Sequence, residues 1–118
     1  MIETIYPVTV SDHKTIEKIV DDDQAMINHI ILPHGEAVPE HDSNSNIYLV
    51  VVRGQMTLRL GAQETEVYPQ GRIIGVPYQT HMRISNGNDE TLEFFVVKAP
   101  NPRVILKENE LIEKTGGA

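Results

Sequence analysis

The chain has 118 residues, enough for one compact domain and too few for a second. Forty per cent of them are hydrophobic, so a chain of this length can bury about two-thirds of its unfolded surface without covalent staples. The absence of cysteine excludes disulfides, thiolate metal sites and cysteine nucleophiles. Seventeen acidic against ten basic residues give a net charge of −7, the wrong sign for binding nucleic acid or an anionic membrane surface. No apolar run approaches the ~20 residues that span a bilayer. Glu3 stands where a secretory leader would carry positive charge, so the expected setting is the cytoplasm.

Short segments rich in Val, Ile, Thr and Tyr recur between turn formers, at the spacing of an all-β sandwich or barrel. In chain order, strands are predicted over residues 5–10, 15–20, 25–32, 47–53, 55–60, 64–68, 72–76, 82–85 and 91–98. The reversals between them fall at 21–23, 33–35, Gly54, Gly61, 69–71 and 86–89, all rich in Gly, Pro, Asn or Asp. Within 55–60, Met56, Leu58 and Leu60 alternate with Gln55, Thr57 and Arg59, which predicts one buried and one wet face. Residues 47–52 are apolar at every position, so this strand is either central or part of an oligomer interface. Beyond Pro100 and Pro102, residues 105–114 mix Leu, Ile, Glu and Lys and predict a short terminal helix. Residues 115–118 read as a disordered tail. The expected organisation is a single domain over 1–118 with its barrel core at 25–100.

Two stretches carry a spaced pattern. Residues 35–54 read GEAVPEHDSNSNIYLVVVRG and residues 71–86 read GRIIGVPYQTHMRISN. Gly35, His41 and Gly54 fall in register with the first cupin motif (Gly, five residues, His, any, His, three or four residues, Glu, six residues, Gly). Gly71, Pro77 and Asn86 fall in register with the second (Gly, five residues, Pro, any, Gly, two residues, His, three residues, Asn). The chain therefore resembles the cupin family. The resemblance covers about half of the chain directly and implies an antiparallel cupin barrel, a jelly roll or double-stranded β-helix. The glycines and Pro77 serve the backbone, where tight reversals need positive φ or a preset φ.

In cupins that hold a metal, three His and one Glu converge from the two motifs on a divalent transition ion. Here Ser43 and Ile47 stand at the second His and the Glu, Met82 stands at the third His, and Gln79 replaces a motif glycine. Ser43 offers a weak neutral oxygen, Ile47 nothing, and Met82 a thioether suited to reduced copper rather than to manganese, iron or zinc. No cofactor is expected. The alternative is a metal-dependent enzyme of oxygenase or isomerase type using His41 with His81 or His34.

Strand parity with the family's inward direction places His41, Ser43, Ile47, Leu49 and Val51 toward the cavity, joined by Met82 and Ile84 from the second motif. The expected ligand-binding set is His41, Ser43, Ile47, Leu49, Met82 and Ile84, an aliphatic lining with one imidazole and one hydroxyl. It suits a small neutral or singly anionic molecule and not a phosphate. Against that stands a bland reading for each residue, with His41 on a backbone carbonyl and the apolar set as core. His81 faces outward unless a bulge turns it in. His34 is read as a solvated loop residue, His13 as surface, and His29, flanked by isoleucines, as a satisfied barrel histidine. The Asp21–Asp22–Asp23 run is read as a solvated turn, and Ser43 lacks a nucleophile-elbow context. Tyr48, Val50 and Val52, opposite the cavity face, need cover that a second copy would supply, so a homodimer is expected. A regulatory or structural dimer without chemistry stands as the third reading.

Overall fold

Burial alternates from one residue to the next along residues 47–51, 55–58, 81–84 and 92–98, and this strand period decides the architecture. The computed structural model describes residues 1–114, so the expected tail at 115–118 lies outside the described residues. The strands are β1 (Thr15–Asp21), β2 (Met26–Leu32), β3 (His41–Asp42), β4 (Ile47–Arg53), β5 (Gln55–Leu60), β6 (Glu66–Pro69), β7 (Arg72–Val76), β8 (His81–Ser85) and β9 (Leu92–Lys98), followed by helix α1 (Pro102–Lys114). They form a five-stranded sheet in the order β1-β2-β9-β4-β7 and a four-stranded sheet in the order β3-β8-β5-β6, with every pairing antiparallel. No helix among the described residues is long and apolar enough to cross a membrane.

The core lies between the sheets. Leu32, Leu49, Leu92 and Phe94 from the larger sheet meet Met56, Leu58, Met82 and Ile84 from the smaller one. In β5 the predicted alternation holds, with Met56 and Leu58 buried and Gln55 and Arg59 exposed. In β4, Ile47, Leu49 and Val51 face the core, whereas Tyr48 and Val52 on the opposite face are 49% and 45% exposed.

Three elements differ from the sequence expectation: β3 stands where no strand is predicted, and the other two are the N-terminal segment and the helix. Residues 5–10 form no strand: Ile5 is 70% and Val10 97% exposed, because the segment has no ladder partner among the described residues and Pro7 removes a donor. The helix begins three residues earlier than predicted. Asn101 caps it, accepting from the Arg103 amide at 3.0 Å through its side chain, with Pro102 at the first helical position. The 21–23 run anchors that start: Arg103 reaches Asp21 at 2.7 Å and Asp23 at 2.9 Å, and Asn101 donates to Asp21 at 2.6 Å. It is thus a tether for the helix as well as a turn.

The base of the N-terminal segment is pinned to the outer face of the larger sheet. His29, fully buried there, pairs through Nδ1 with Glu17 at 3.0 Å and through Nε2 with Glu93 at 2.6 Å. Thr9 donates to Glu17 from its amide at 2.8 Å and its hydroxyl at 2.7 Å, and Arg53 ties Glu93 to Asp12 and the Ser11 carbonyl. His29 is satisfied, as its isoleucine neighbours suggested, but on the outside of the barrel. The hydrogen bonds from Thr9, then from His29, hold the Glu17 carboxyl down at about 2. A depressed carboxylate stabilises above its ordinary value of 4.5 and ceases to as pH falls toward 2. Glu17→Gln is expected to flatten that part of the stability profile, measured as thermal midpoint against pH.

Short links carry the chain between the sheets. Gly54 alone joins β4 to β5 with φ +74°, and a Cβ there would sit in hard contact with the Thr91 carbonyl oxygen. Gln79 lies in the link from β7 to β8 at φ 64°, the left-handed region, where the resemblance marks a glycine. Gly54→Ala is expected to destabilise by about 3 kcal/mol and Gln79→Gly to stabilise by about 0.5–1 kcal/mol, both readable by urea unfolding.

Candidate functional site

The sheets part between the β1–β2–β9 side of one and the β3–β8 side of the other, leaving a cavity of about 270 Å³. Ile16, Asn28, Ile30, Val96 and Lys98 line it from the larger sheet, and Val38, Pro39, His41, Met82 and Ile84 close it from the other side. The alternation of each strand delivers these residues: Leu92, Phe94, Val96 and Lys98 share the inner face of β9, and Ile30 and Asn28 share that of β2. The wall is aliphatic with three polar groups, Asn28, His41 and Lys98.

His41 pairs with Met82 across β3 and β8 and so keeps the inward parity that the sequence gives it. It lies on a two-residue edge strand at the cavity mouth, exposed, with Nδ1–H donating to the Pro39 carbonyl at 3.0 Å. Of the six sequence candidates, His41, Met82 and Ile84 line the cavity. Ile47 and Leu49 face inward further along the sheet, under the core, and do not reach its wall. Ser43 is buried too, but its hydroxyl is occupied: it donates to the Pro77 carbonyl at 2.5 Å and accepts from the Thr80 amide at 2.7 Å.

His81 stands on the outer face, paired with Asp42 at 2.8 Å and Glu40 at 3.1 Å, since the β3–β8 register runs without a bulge. Those two carboxylates, Asp42 first, raise its pKa above the ordinary histidine value. His34 is exposed and donates to the Asn88 carbonyl at 2.8 Å. Neither histidine joins His41. Among the described residues no group of three or more His, Cys, Asp and Glu is gathered to hold a metal ion. The donors at the family's four metal positions do not fit one: an imidazole at the mouth, a hydroxyl already twice hydrogen-bonded, a buried isoleucine and a thioether packed in the core.

Lys98 and Asn28 were not singled out in the sequence. The signal for Lys98 was present: it continues the inward alternation Leu92, Phe94, Val96, so a charge falls on a core face. It is 9% exposed, and burial, then the nearby Lys18 ammonium, hold its pKa below the ordinary lysine range.

Comparison with known proteins accords with this architecture. No protein-family model matches the chain. It is 48% identical over 105 residues to the uncharacterized protein MJ0764 of Methanocaldococcus jannaschii, covering 87% of this chain and 90% of that protein. The crystal structure of MJ0764, described as an RmlC-like cupin family protein with a double-stranded β-helix fold, aligns at TM-score 0.86 and 45% identity over 89% of this chain and 97% of that one. A cupin superfamily protein from Desulfitobacterium hafniense aligns at TM-score 0.67 over 80% of this chain and 84% of its own; at 10% identity the likeness is one of fold. With nearly half its residues identical to MJ0764 and the same two-sheet barrel, the chain belongs to the RmlC-like cupin family.

Proposed function

We propose that the protein binds a small molecule in the cavity between its sheets and does so without a stably held metal. The observation that carries this reading is the cavity wall: seven aliphatic, proline or methionine side chains with Asn28, His41 and Lys98 as its polar groups. A mostly apolar recess with a few fixed polar groups is the usual form of a small-ligand site, and about 270 Å³ is close to the lower end of the size range for one. His41 at the mouth supplies a hydrogen-bonding edge to whatever enters. Ser43, its hydroxyl engaged on the Pro77–Thr80 link, serves the backbone.

Protein purified without chelator and dialysed is expected to carry no near-equimolar manganese, iron, nickel or zinc by mass-spectrometric metal analysis. An equimolar metal lost in His41→Ala would favour the metal-dependent enzyme instead. In a screen of small neutral and monoanionic compounds followed by methyl NMR, hits are expected to shift Met82, Ile84 and Val96. Hits clustering elsewhere would mean that the recess is only core.

The protein also works as a homodimer in this reading. Its support is apolar surface in two places: Met1, Ile2, Ile5 and Val10 stand exposed on the N-terminal segment, and Tyr48, Val52 and Ile73 on the outer face of the larger sheet. A second copy of the chain can cover both by exchanging segments. Light scattering at micromolar concentration is expected to give twice the chain mass, with removal of residues 1–8 shifting it toward the monomer. A monomeric intact chain would overturn the dimer and leave the ligand reading untouched.

A further inference from the structure

We infer that the cavity is a carboxylate site, taking a small aliphatic or aromatic monocarboxylic acid whose carboxylate rests on Lys98 and Asn28 and whose apolar body lies along Ile30, Val96, Met82 and Ile84. The inference rests on the proposed ligand-binding role of this cavity and adds its chemical class and its anchor.

Lys98 is the starting point. It is a lysine on the inner face of a sheet, nine-tenths buried, and among the described residues its ammonium makes no hydrogen bond or ion pair. A buried cation without a counterion is costly, and proteins ordinarily pair it with a carboxylate. This chain has seventeen acidic residues to draw on, yet among the described residues no Asp or Glu lines the cavity. The Lys98 ammonium is not sealed off either, since no side-chain nitrogen or oxygen among the described residues is both fully occluded and unpartnered. Its open side is the cavity. A ligand anion would supply the missing charge.

The surroundings fit a carboxylate better than a larger anion. Lys98 pairs with Met26 across β2 and β9, and Val96 with Asn28, so Asn28 is the diagonal neighbour of Lys98 on the inner face. Its amide adds a donor beside the ammonium. Lys18 pairs with Asn28 from β1 and brings a second positive charge to the rim, where it also meets Asp21 at 3.4 Å. Asp21 is shared with Arg103 and Asn101, so its charge is divided between Lys18 and Arg103. The depression of the Lys98 pKa by burial and by Lys18 has the same origin, and an anion bound between the two lysines would relieve it. Beyond these groups only His41, at the mouth, interrupts the aliphatic wall, and one imidazole is too little to solvate a phosphate's further charges or a sugar's hydroxyls.

Size sets the rest. At ~30 Å³ for each water-sized unit, a cavity of 270 Å³ admits about nine such units, the bulk of a carboxylic acid with eight to ten non-hydrogen atoms. Octanoate is therefore the probe, with octanamide as its uncharged isostere.

The test is a methyl and lysine side-chain NMR titration of the intact protein. Octanoate is expected to shift the methyls of Met82, Ile84 and Val96 and to move the Lys98 side-chain titration upward, while octanamide binds at least tenfold more weakly. Lys98→Met is expected to bring octanoate down to the affinity of octanamide, and Lys98→Arg to keep the preference for the acid. The comparison of the two probes uses the unaltered protein, so the test does not depend on Lys98→Met folding. Equal binding of octanoate and octanamide at those methyls would overturn the carboxylate site and leave the small-molecule reading standing. Octanoate that leaves those methyls unmoved and shifts only the backbone amides of Arg59, His81 and Arg83, read in a parallel amide spectrum, would overturn it as well. If neither probe nor any screened compound moves the cavity methyls, both readings fall together.

Discussion

The structure depends on a backbone constraint: its strands alternate between sheets, so the chain must cross repeatedly from one to the other in very few residues. β4 belongs to the larger sheet, β5 and β6 to the smaller, β7 to the larger, β8 to the smaller and β9 to the larger. Crossings this short need abrupt reversals, which left-handed backbone supplies at low steric cost only when the residue is glycine. Gly54 makes the first at φ +74° and Gly71 the second at φ +84°. The third is made with Gln79 at φ 64°, a residue that bears the steric cost because its surroundings hold it there. Only when these links close do the inner faces meet, and only then is there a core or a cavity.

Ser43 shows how the third crossing is held and why this barrel differs from a metal-holding one. Its amide donates to the Thr80 carbonyl at 2.8 Å, its carbonyl accepts from the Gln79 amide at 2.8 Å, and its hydroxyl bridges Pro77 and Thr80. Four hydrogen bonds from one residue clamp the 77–80 link in a buried setting, where each is worth more than at the surface. The position at which the family resemblance marks a second histidine is therefore spent on backbone. Ile47 and Met82, at two further ligand positions, are packed against the core. These substitutions agree with one another, since a lone imidazole or carboxylate at any of the three would leave a buried polar group without its companions.

Much of this was legible in the sequence because strand period and turn chemistry are local. The bounds of β4, β5 and β7 follow from apolar and β-branched composition and the flanking glycines, and parity taken with the family's inward direction puts Met82 and Ile84 on the inner face. The misses have physical causes. β3 is two residues long, too short for any period to register. Residues 5–10 have the composition of a strand, but composition carries no information on whether a pairing edge exists to receive them. Ile47 and Leu49 were placed on the correct face, yet whether an inward residue meets core or cavity depends on where the two sheets part, which no single strand encodes. Lys98 was the readable signal left unread. A charge at the end of an apolar strand is ordinarily taken for the start of a loop, whereas here the ladder continues through it, pairing Lys98 with both Met26 and Ile47.

The charge distribution bears on how such a cavity could discriminate. A net charge of −7 opposes the approach of any anion, so long-range steering cannot be the source of affinity for one. At physiological ionic strength, however, exposed charges are largely screened beyond about 8 Å. Asp21 is engaged with Lys18 and Arg103, and Asp42 and Glu40 are engaged with His81 and Arg83 on the outer face. What an entering molecule meets at close range is His41 at the mouth, then Asn28, Lys98 and an aliphatic wall, in a recess where an uncompensated cation interacts more strongly than it would in water. The requirement of the proposed site is therefore set inside the recess rather than by the surface: one negative charge attached to enough apolar surface to fill it.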